Sequence, residues 1–415
     1  MWYNFDRIDK FFGCALKNSP LAKKITIDPW LLATTGLFLL IGILMVTTAS
    51  GYVAEYYGLS PYHYGVRQIF YMIAGGGLGA IAFRLSLEGW YRLTPVLMLL
   101  TILSLVLVLI PGIGREVNGA LRWIPILFFN FQPAELSKFV ALMYIASYLH
   151  RHRESIATRM SALIIPLVVM GVLGVLLLLE PDFGSTAIIF VIGLGLLFIA
   201  GVSLWRFGIV LLPTLLAMVV ILYTSPYRRA RLSGFLRPWD DAYNQGYQLV
   251  NSLIAIGRGK LSGVGIGESM SKLGYLPEAH TDFIFAIYAE EFGFFGIILL
   301  VFLYMMFLYR TFRIGAKAEQ LKLYFAAYIS YGIGLWISTQ ALIHMCVASG
   351  LLPTKGLTLP LMSYGGSSII TMMIGLAVLF RVDKDVQVKA RQHYQDQQAQ
   401  RAADELAQAT IKVAR

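Results

Sequence analysis

Two short stretches of the 415-residue chain set ionisable groups where an apolar run begins. In Pro277-Glu-Ala-His-Thr-Asp-Phe283 a carboxylate, an imidazole and a second carboxylate lead straight into the apolar residues after Ile284, with Glu290 and Glu291 further on. In Gln132-Pro-Ala-Glu-Leu-Ser-Lys138, Pro133 fits the first turn of a helix, where its missing N–H costs nothing. Glu135 and Lys138 then share one helical face, with Lys138 about 7–8 Å below the helix start at a rise of about 1.5 Å per residue. A carboxylate at a membrane threshold beside a cation suits two chemistries. One is a general base toward a hydroxyl of a lipid-linked substrate; the other is a proton or ion relay in a transporter. The residues alone leave both open. Each group also has a plainer reading: Thr281 or Asp282 as a helix N-cap, Glu135–Lys138 as a structural pair, Lys138 as a snorkelling lysine. Against these, one cap does not need five ionisable neighbours, and Lys138 lies inward of its easiest escape to water.

The elements that must position these groups are transmembrane. The chain is 57% hydrophobic and 14% charged with a mean hydropathy of +0.67, and apolar runs of about 17–25 residues, the length that crosses a bilayer, recur along it. This predicts an all-α polytopic membrane protein of about ten transmembrane helices, since a barrel would show short alternating segments. The spans fall near 29–49, 68–84, 93–110, 133–149, 161–179, 184–201, 207–223, 284–309, 322–348 and 366–381. An even number puts both termini on one side, and Lys and Arg in the short loops make that side cytoplasmic. The organisation is then a cytoplasmic segment 1–28, a membrane domain 29–381 with one large exoplasmic loop 224–283 between spans seven and eight, and a cytoplasmic tail 382–415 that reads as solvated helix or disorder. Within 1–28, Phe5, Ile8, Phe12 and Leu16 share a face beside Arg7, Lys10 and Lys17, which fits an interfacial helix as well as a basic tail. The first span serves as an uncleaved anchor.

Other function classes drop out. The net charge of +11 flanks the spans, as topology and contact with anionic membrane lipid require, so no nucleic acid is expected. Cys14 and Cys346 make neither a disulfide framework nor a metal site. The glycines of 257–274 and the segment Ser363-Tyr-Gly-Gly-Ser-Ser368 lack the strand–helix context and the Gly-Lys-Ser/Thr of nucleotide loops. Gly75 and Gly79 read as close helix packing.

Five motifs in this order resemble the SEDS family of FtsW/RodA polymerases: Asn118-Gly-Ala-Leu-Arg-Trp-Ile124, Gln132-Pro-Ala-Glu-Leu-Ser-Lys138, Glu180-Pro-Asp-Phe-Gly-Ser-Thr186, Pro277-Glu-Ala-His-Thr-Asp-Phe283 and Gly350-Leu-Leu-Pro353 with Ser363-Tyr-Gly-Gly-Ser-Ser368. The resemblance covers roughly residues 30–380. Arg237-Pro-Trp-Asp-Asp-Ala242, Tyr247-Gln-Leu249 and Pro353-Thr-Lys-Gly-Leu-Thr-Leu-Pro360 are similar to its cell-division branch rather than its elongation branch.

The resemblance implies a peptidoglycan glycosyltransferase that polymerises lipid II at the septum in the bacterial inner membrane. An α-linked donor and a β-1,4 product imply a single inverting displacement, with one base and no covalent intermediate. By the same resemblance Asp282 is the base toward the acceptor's GlcNAc 4-hydroxyl, and Glu135 orients Lys138. Lys138, Arg67, Arg122 and Lys355 are candidates to stabilise the leaving pyrophosphate, with a divalent cation, Mg or Mn, as the substitute; no carboxylate spacing defines a metal site. His280 positions the base, and Ser363 and Ser367 complete the expected substrate contacts. Glu291 reads as structural and Asp182 as a helix cap. Implied partners are lipid II, the nascent glycan, a class B penicillin-binding protein of FtsI type and divisome membrane proteins of FtsQ, FtsL, FtsB and FtsN types. Where the family usually has Gln followed four residues later by Asn, this chain has Gln340 and His344, so the asparagine's role is not carried over. A lipid II flippase and a non-catalytic divisome scaffold are the alternatives. A flippase needs ionisable groups at more than one depth, and here they gather at the outer face.

Overall fold

In hydrocarbon each backbone polar group must find its partner inside the protein, so helices are the default and any break needs local cover. The computed structural model describes residues 27–413, apart from 118–119, 127–128, 225–228, 230–231, 233 and 354–355. The expected N-terminal segment therefore lies almost wholly outside the described residues, and so does Lys355.

The helices are α1 (Pro29–Tyr56), α2 (His63–Arg84), α3 (Leu87–Val108), α4 (Pro133–Arg151), the short α5 (Arg153–Thr158), α6 (Ser161–Leu179), α7 (Phe183–Ile199), α8 (Leu204–Thr224), α9 (Tyr247–Arg258), α10 (Ile284–Gln320), α11 (Tyr324–Ala348) and α12 (Gly366–Val413). Each of the ten expected spans corresponds to one of the longer helices. Among the described residues seven helices are long and apolar enough to cross a membrane: α1, α2, α3, α6, α10, α11 and α12. Helix α7 and the apolar part of α8 are shorter, and α4 carries the buried charges. The tail is helix: α12 runs unbroken from Gly366 to Val413.

Local rules explain the starts. Asp28 caps α1 by accepting from the N–H groups of Trp30 at 3.0 Å and Leu31 at 3.1 Å, with Pro29 in the first turn. Pro133 opens α4 in the same way. Asp182 caps α7 through Ser185 N–H at 3.0 Å. Helix α4 is buried along nearly its whole length, packed among α3, α7, α11 and α12, so it forms the centre of the bundle with α11. Large apolar side chains on α1–α3, α6, α8 and α10 face outward, as lipid contact requires. Gly75 and Gly79 bring α2 against α12: a Cβ on Gly75 would meet Met373 Sδ at 2.9 Å, and one on Gly79 the Met373 carbonyl oxygen at 3.3 Å.

Two features depart from the all-helical expectation. Between α3 and α4 the chain forms a small antiparallel sheet, β1 (Arg115–Val117), β2 (Ala120–Ile126) and β3 (Phe129–Phe131), in the order β1-β2-β3. The alternation is too short to stand out beside the apolar spans. The long loop 224–283 also carries structure, the amphipathic α9, and then threads into a break in α10. At Gly293 the backbone takes φ 65° and ψ −163°. The freed N–H groups of Phe294 and Phe295 donate to the carbonyls of Lys260 at 3.0 Å and Leu261 at 3.1 Å, while the carbonyls of Glu290 and Glu291 accept from Val264 at 3.0 Å and Gly265 at 3.2 Å. The inserted segment thus supplies four backbone hydrogen bonds at the break. A Cβ at Gly293 would lie 2.2 Å from Gly263 N, so both its conformation and its space demand glycine.

Candidate active site

The segment 277–283 enters α10 without a side-chain cap. The N-cap position is Phe283, whose side chain cannot cap, and Thr281 Oγ1 turns back to the Glu278 carbonyl and carboxylate. The backbone is held instead from the 359–364 turn. Ser363 Oγ donates to the Thr281 carbonyl at 2.7 Å and accepts from Leu359 N–H at 2.7 Å, and Tyr364 N–H donates to the His280 carbonyl at 2.9 Å. Gln68 of α2 adds a bond to the Ser363 carbonyl at 3.2 Å. Ser363 thus fixes the approach to Asp282 from behind. Ser367 sits at the start of α12, accepting from Gln132 N–H at 2.9 Å and donating to the Asn130 carbonyl at 3.1 Å, which ties α12 to the entry of α4.

Asp282 is half-buried and faces the extended segment 356–359. A Cβ on Gly356 would lie 2.9 Å from Asp282 Oδ2, so the absence of a side chain there leaves the carboxylate its position. The same segment runs past the other cluster. Lys138 is fully buried; its Nζ donates to Glu135 Oε1 at 2.7 Å and to Gln340 Oε1 at 3.0 Å. Gln340 in turn donates to the Thr358 carbonyl at 3.0 Å. Thr358 Oγ1 lies 2.9 Å from Ser368 Oγ. Two of the lysine's three donors are used, and Glu135 Oε2 is buried without a partner. The expected pair is present, and residues 356–358 connect it to Asp282.

His280 is buried, its ring 4.8 Å from that of Tyr64 and 5.6 Å from that of Tyr364. Burial pushes its pKa below the ordinary 6.5, against the opposing pull of Glu278. Its Nδ1 has no hydrogen-bond partner. Arg67 is exposed on α2 and within electrostatic reach of Tyr364. Arg122 of β2 reaches the α6–α7 turn, donating through Nε to the Glu180 carbonyl at 3.0 Å and through Nη2 to the Pro181 carbonyl at 2.8 Å.

The five ionisable groups around the 277–291 stretch divide. Glu278, His280 and Asp282 face the site, whereas Glu290 and Glu291 clasp the inserted loop. Glu290 accepts from Ser269 Oγ at 2.5 Å and Met270 N–H at 3.2 Å, and Glu291 pairs with Lys272 at 3.1 Å. Two residues take places to which the sequence assigned no role. Glu180 is fully buried with neither carboxylate oxygen partnered. Burial first and Asp182 second push its pKa up to about 9, against Arg122; its only signal was its place in a quoted motif. His344 Nδ1 lies 2.6 Å from the Leu357 carbonyl oxygen. Among the described residues no group of three or more His, Cys, Asp or Glu gathers as a metal site.

The geometry defines a membrane-embedded bundle whose buried cation and half-buried carboxylate are linked through Gln340 and the 356–358 segment. The sequence pattern of the cell cycle protein family of FtsW, RodA and SpoVE matches residues 29–388, and the chain belongs to that family. A protein of Hydrogenovibrio crunogenus, named "Probable peptidoglycan glycosyltransferase FtsW", is 46% identical over 375 residues, covering 90% of this chain and 96% of that one. A protein of the same name from Coxiella burnetii is 43% identical, covering 87% and 98%. Among solved structures, a chain from a peptidoglycan synthase complex that coordinates polymerization and crosslinking superposes with a TM-score of 0.71 at 28% identity, covering 87% of this chain and 98% of that one. The rod shape determining protein RodA of Thermus thermophilus does so with 0.64 at 25%, covering 87% and 97%.

Proposed function

We propose that this multi-pass membrane protein is a peptidoglycan glycosyltransferase that polymerises lipid II for septal wall synthesis, with both termini in the cytoplasm and the site at the outer face of the inner membrane. The names of its relatives and their coverage of nearly the whole chain support the activity. The observation that carries the chemistry is Asp282, set against the bare backbone of Gly356 in a segment held by Gln340, which the buried Lys138 bonds in turn.

The reaction is one inverting displacement. An Asp282 oxygen takes the proton of the acceptor's GlcNAc 4-hydroxyl as that oxygen attacks the anomeric carbon of the donor. The bond from that carbon to the pyrophosphate oxygen breaks on the opposite face, and polyprenyl pyrophosphate leaves. Negative charge grows on the leaving group, and a fixed cation in a dry site is worth most there. Lys138 supplies it, held by Glu135 and Gln340. Arg67 stands at the exposed rim for the pyrophosphate. Arg122 holds the Glu180–Pro181 turn with two of its nitrogens and supports the wall of the site. His280 stays neutral and packs the loop that carries the base. With no cluster of three metal-ligating side chains among the described residues, a Mg or Mn ion would be held chiefly by the bound pyrophosphate, where it would add to the charge stabilisation that Lys138 supplies.

A class B penicillin-binding protein and further divisome membrane proteins are the partners this reading entails. The deciding experiment is polymerisation of lipid II by the purified chain with its class B partner, wild type against Asp282→Asn. Product from the wild type alone supports both activity and base. Product from both moves the base elsewhere, and movement of labelled lipid II between leaflets without any polymer would favour transport.

A further inference from the structure

The end of the bundle opposite the site carries a second constellation. Asp28, just before α1, donates its N–H to Asp383 of α12 at 2.7 Å, so the start of α1 and the emerging α12 lie together there. Between α1, α2 and α12 runs an apolar groove of about 530 Å³, walled by Leu32, Gly36, Gly76, Ala80 and Phe380, with Arg84 at its mouth. Leu32, Gly36 and Ala80 are exposed, so the groove opens sideways. Glycine makes the space: a Cβ on Gly36 would meet nothing within 4 Å, and one on Gly76 only Met373 Cε at 3.7 Å.

The mouth is cationic. Arg84 is exposed, and its side chain has no ion-pair or hydrogen-bond partner among the described residues. Lys384 is exposed with Nζ 5.4 Å from the centre of the Phe83 ring, and Arg381 Nη1 donates to the Phe83 carbonyl at 3.3 Å. The carboxylates around them are engaged. Asp385 pairs with Arg381 at 2.9 Å, Glu88 with Arg92 at 2.9 Å, and Asp28 with Arg310. Asp383 accepts from Asp28 N–H and from Gln387 at 3.0 Å. Two cations are thus left facing the headgroup level above an apolar slot.

We propose that this groove binds one anionic phospholipid of the adjacent leaflet, its acyl chain along Gly36 and Gly76 and its phosphate between Arg84 and Lys384. Basic pockets between helices at a membrane surface select acidic headgroups. A free phosphate would leave the apolar walls uncovered, and a zwitterionic lipid would offer the cations no net charge.

The test is native mass spectrometry of the purified full-length protein after exchange into detergent with equal phosphatidylglycerol and phosphatidylcholine. The wild type should retain one phosphatidylglycerol in preference, undisplaced by excess inorganic phosphate. Arg84→Gln or Lys384→Gln should each weaken its retention about fivefold, from the roughly 1 kcal/mol that a basic residue contributes near an anionic surface. Gly36→Leu, which fills open space, should expel lipid of either headgroup. Equal retention of the two lipids by the wild type overturns the proposal, as does a Gly36→Leu protein that keeps its phosphatidylglycerol. A groove that takes a polyprenyl chain or a partner's helix would retain no phospholipid, which also overturns it. Lys384 is exposed on a helix, so its variant stays informative if the glycine variant fails to fold.

Discussion

His344 Nδ1 lies 2.6 Å from the carbonyl oxygen of Leu357. Only a donor can bond a carbonyl, so Nδ1 carries the ring's proton. One turn earlier Gln340 holds the next carbonyl, that of Thr358. Two side chains of α11 therefore fix consecutive peptide groups in the segment that passes Asp282. The bond is local and geometric, and an asparagine donor at 344 would be shorter but of the same kind. His344→Leu should lower kcat for polymerisation several-fold with little change in KM, and His344→Asn should recover much of it. Equal activity of both variants would remove the histidine from any positioning role.

Gly356→Ala tests the same segment from the other side. Its Cβ would press on Asp282 Oδ2 at 2.9 Å, a distance real Cβ atoms do not keep, so the carboxylate must shift. A base displaced by a fraction of an ångström loses much of its advantage. Turnover should fall at least about tenfold with the melting temperature nearly unchanged, measured by glycan product and by thermal unfolding in detergent.

Asp282→Asn keeps the shape and removes the base. General-base catalysis contributes about 10²–10⁴-fold, so polymerisation should fall by at least the lower figure, while association with the class B partner in pull-down stays near normal.

Lys138 and Glu135 separate stability from chemistry. Lys138→Met leaves a buried carboxylate unpaired, at a cost of about 3–5 kcal/mol. Lys138→Met with Glu135→Gln removes both charges and should restore most of the stability without restoring turnover. Recovery of turnover in the double variant would show that the pair only holds the fold.

Two buried groups give stability a pH window. His280 has a folded pKa below 6.5, so the unfolded chain binds the extra proton, and stability is complete above 6.5 and falls as pH drops toward the folded value. Glu180 has its folded pKa pushed up to about 9 from 4.5, so its contribution is complete below 4.5 and is lost as pH rises toward 9. Thermal unfolding of His280→Gln should show a flatter slope below pH 6.5. Glu180→Gln should gain on the wild type steadily from pH 5 to pH 9, and parallel curves would show that its carboxyl is not held protonated.

Much of this was legible from local rules. Spacing alone pairs Glu135 with Lys138, the turn-forming Pro133 starts α4, and apolar length locates the ten main helices. What escaped depends on contacts distant in sequence. The division of Glu290 and Glu291 from Asp282 follows from residues 259–272 folding back onto the break at Gly293, and no local pattern announces that return. The roles of Ser363 and His344 likewise exist only because the 356–364 segment lies across both α10 and α11. The N-cap of α10 falls on Phe283 rather than on Thr281 or Asp282, and the turn before it is held by bonds from 363–364 that lie some eighty residues away in sequence.

Helix α12 begins two residues after Tyr364, whose N–H holds His280, and continues without interruption to Val413. At about 1.5 Å per residue it is a rod of roughly 70 Å, packed closely against α2 at Gly75 and Gly79. One continuous helix thus joins the turn that holds the loop of Asp282 to the opposite end of the bundle, where Asp383 meets the start of α1.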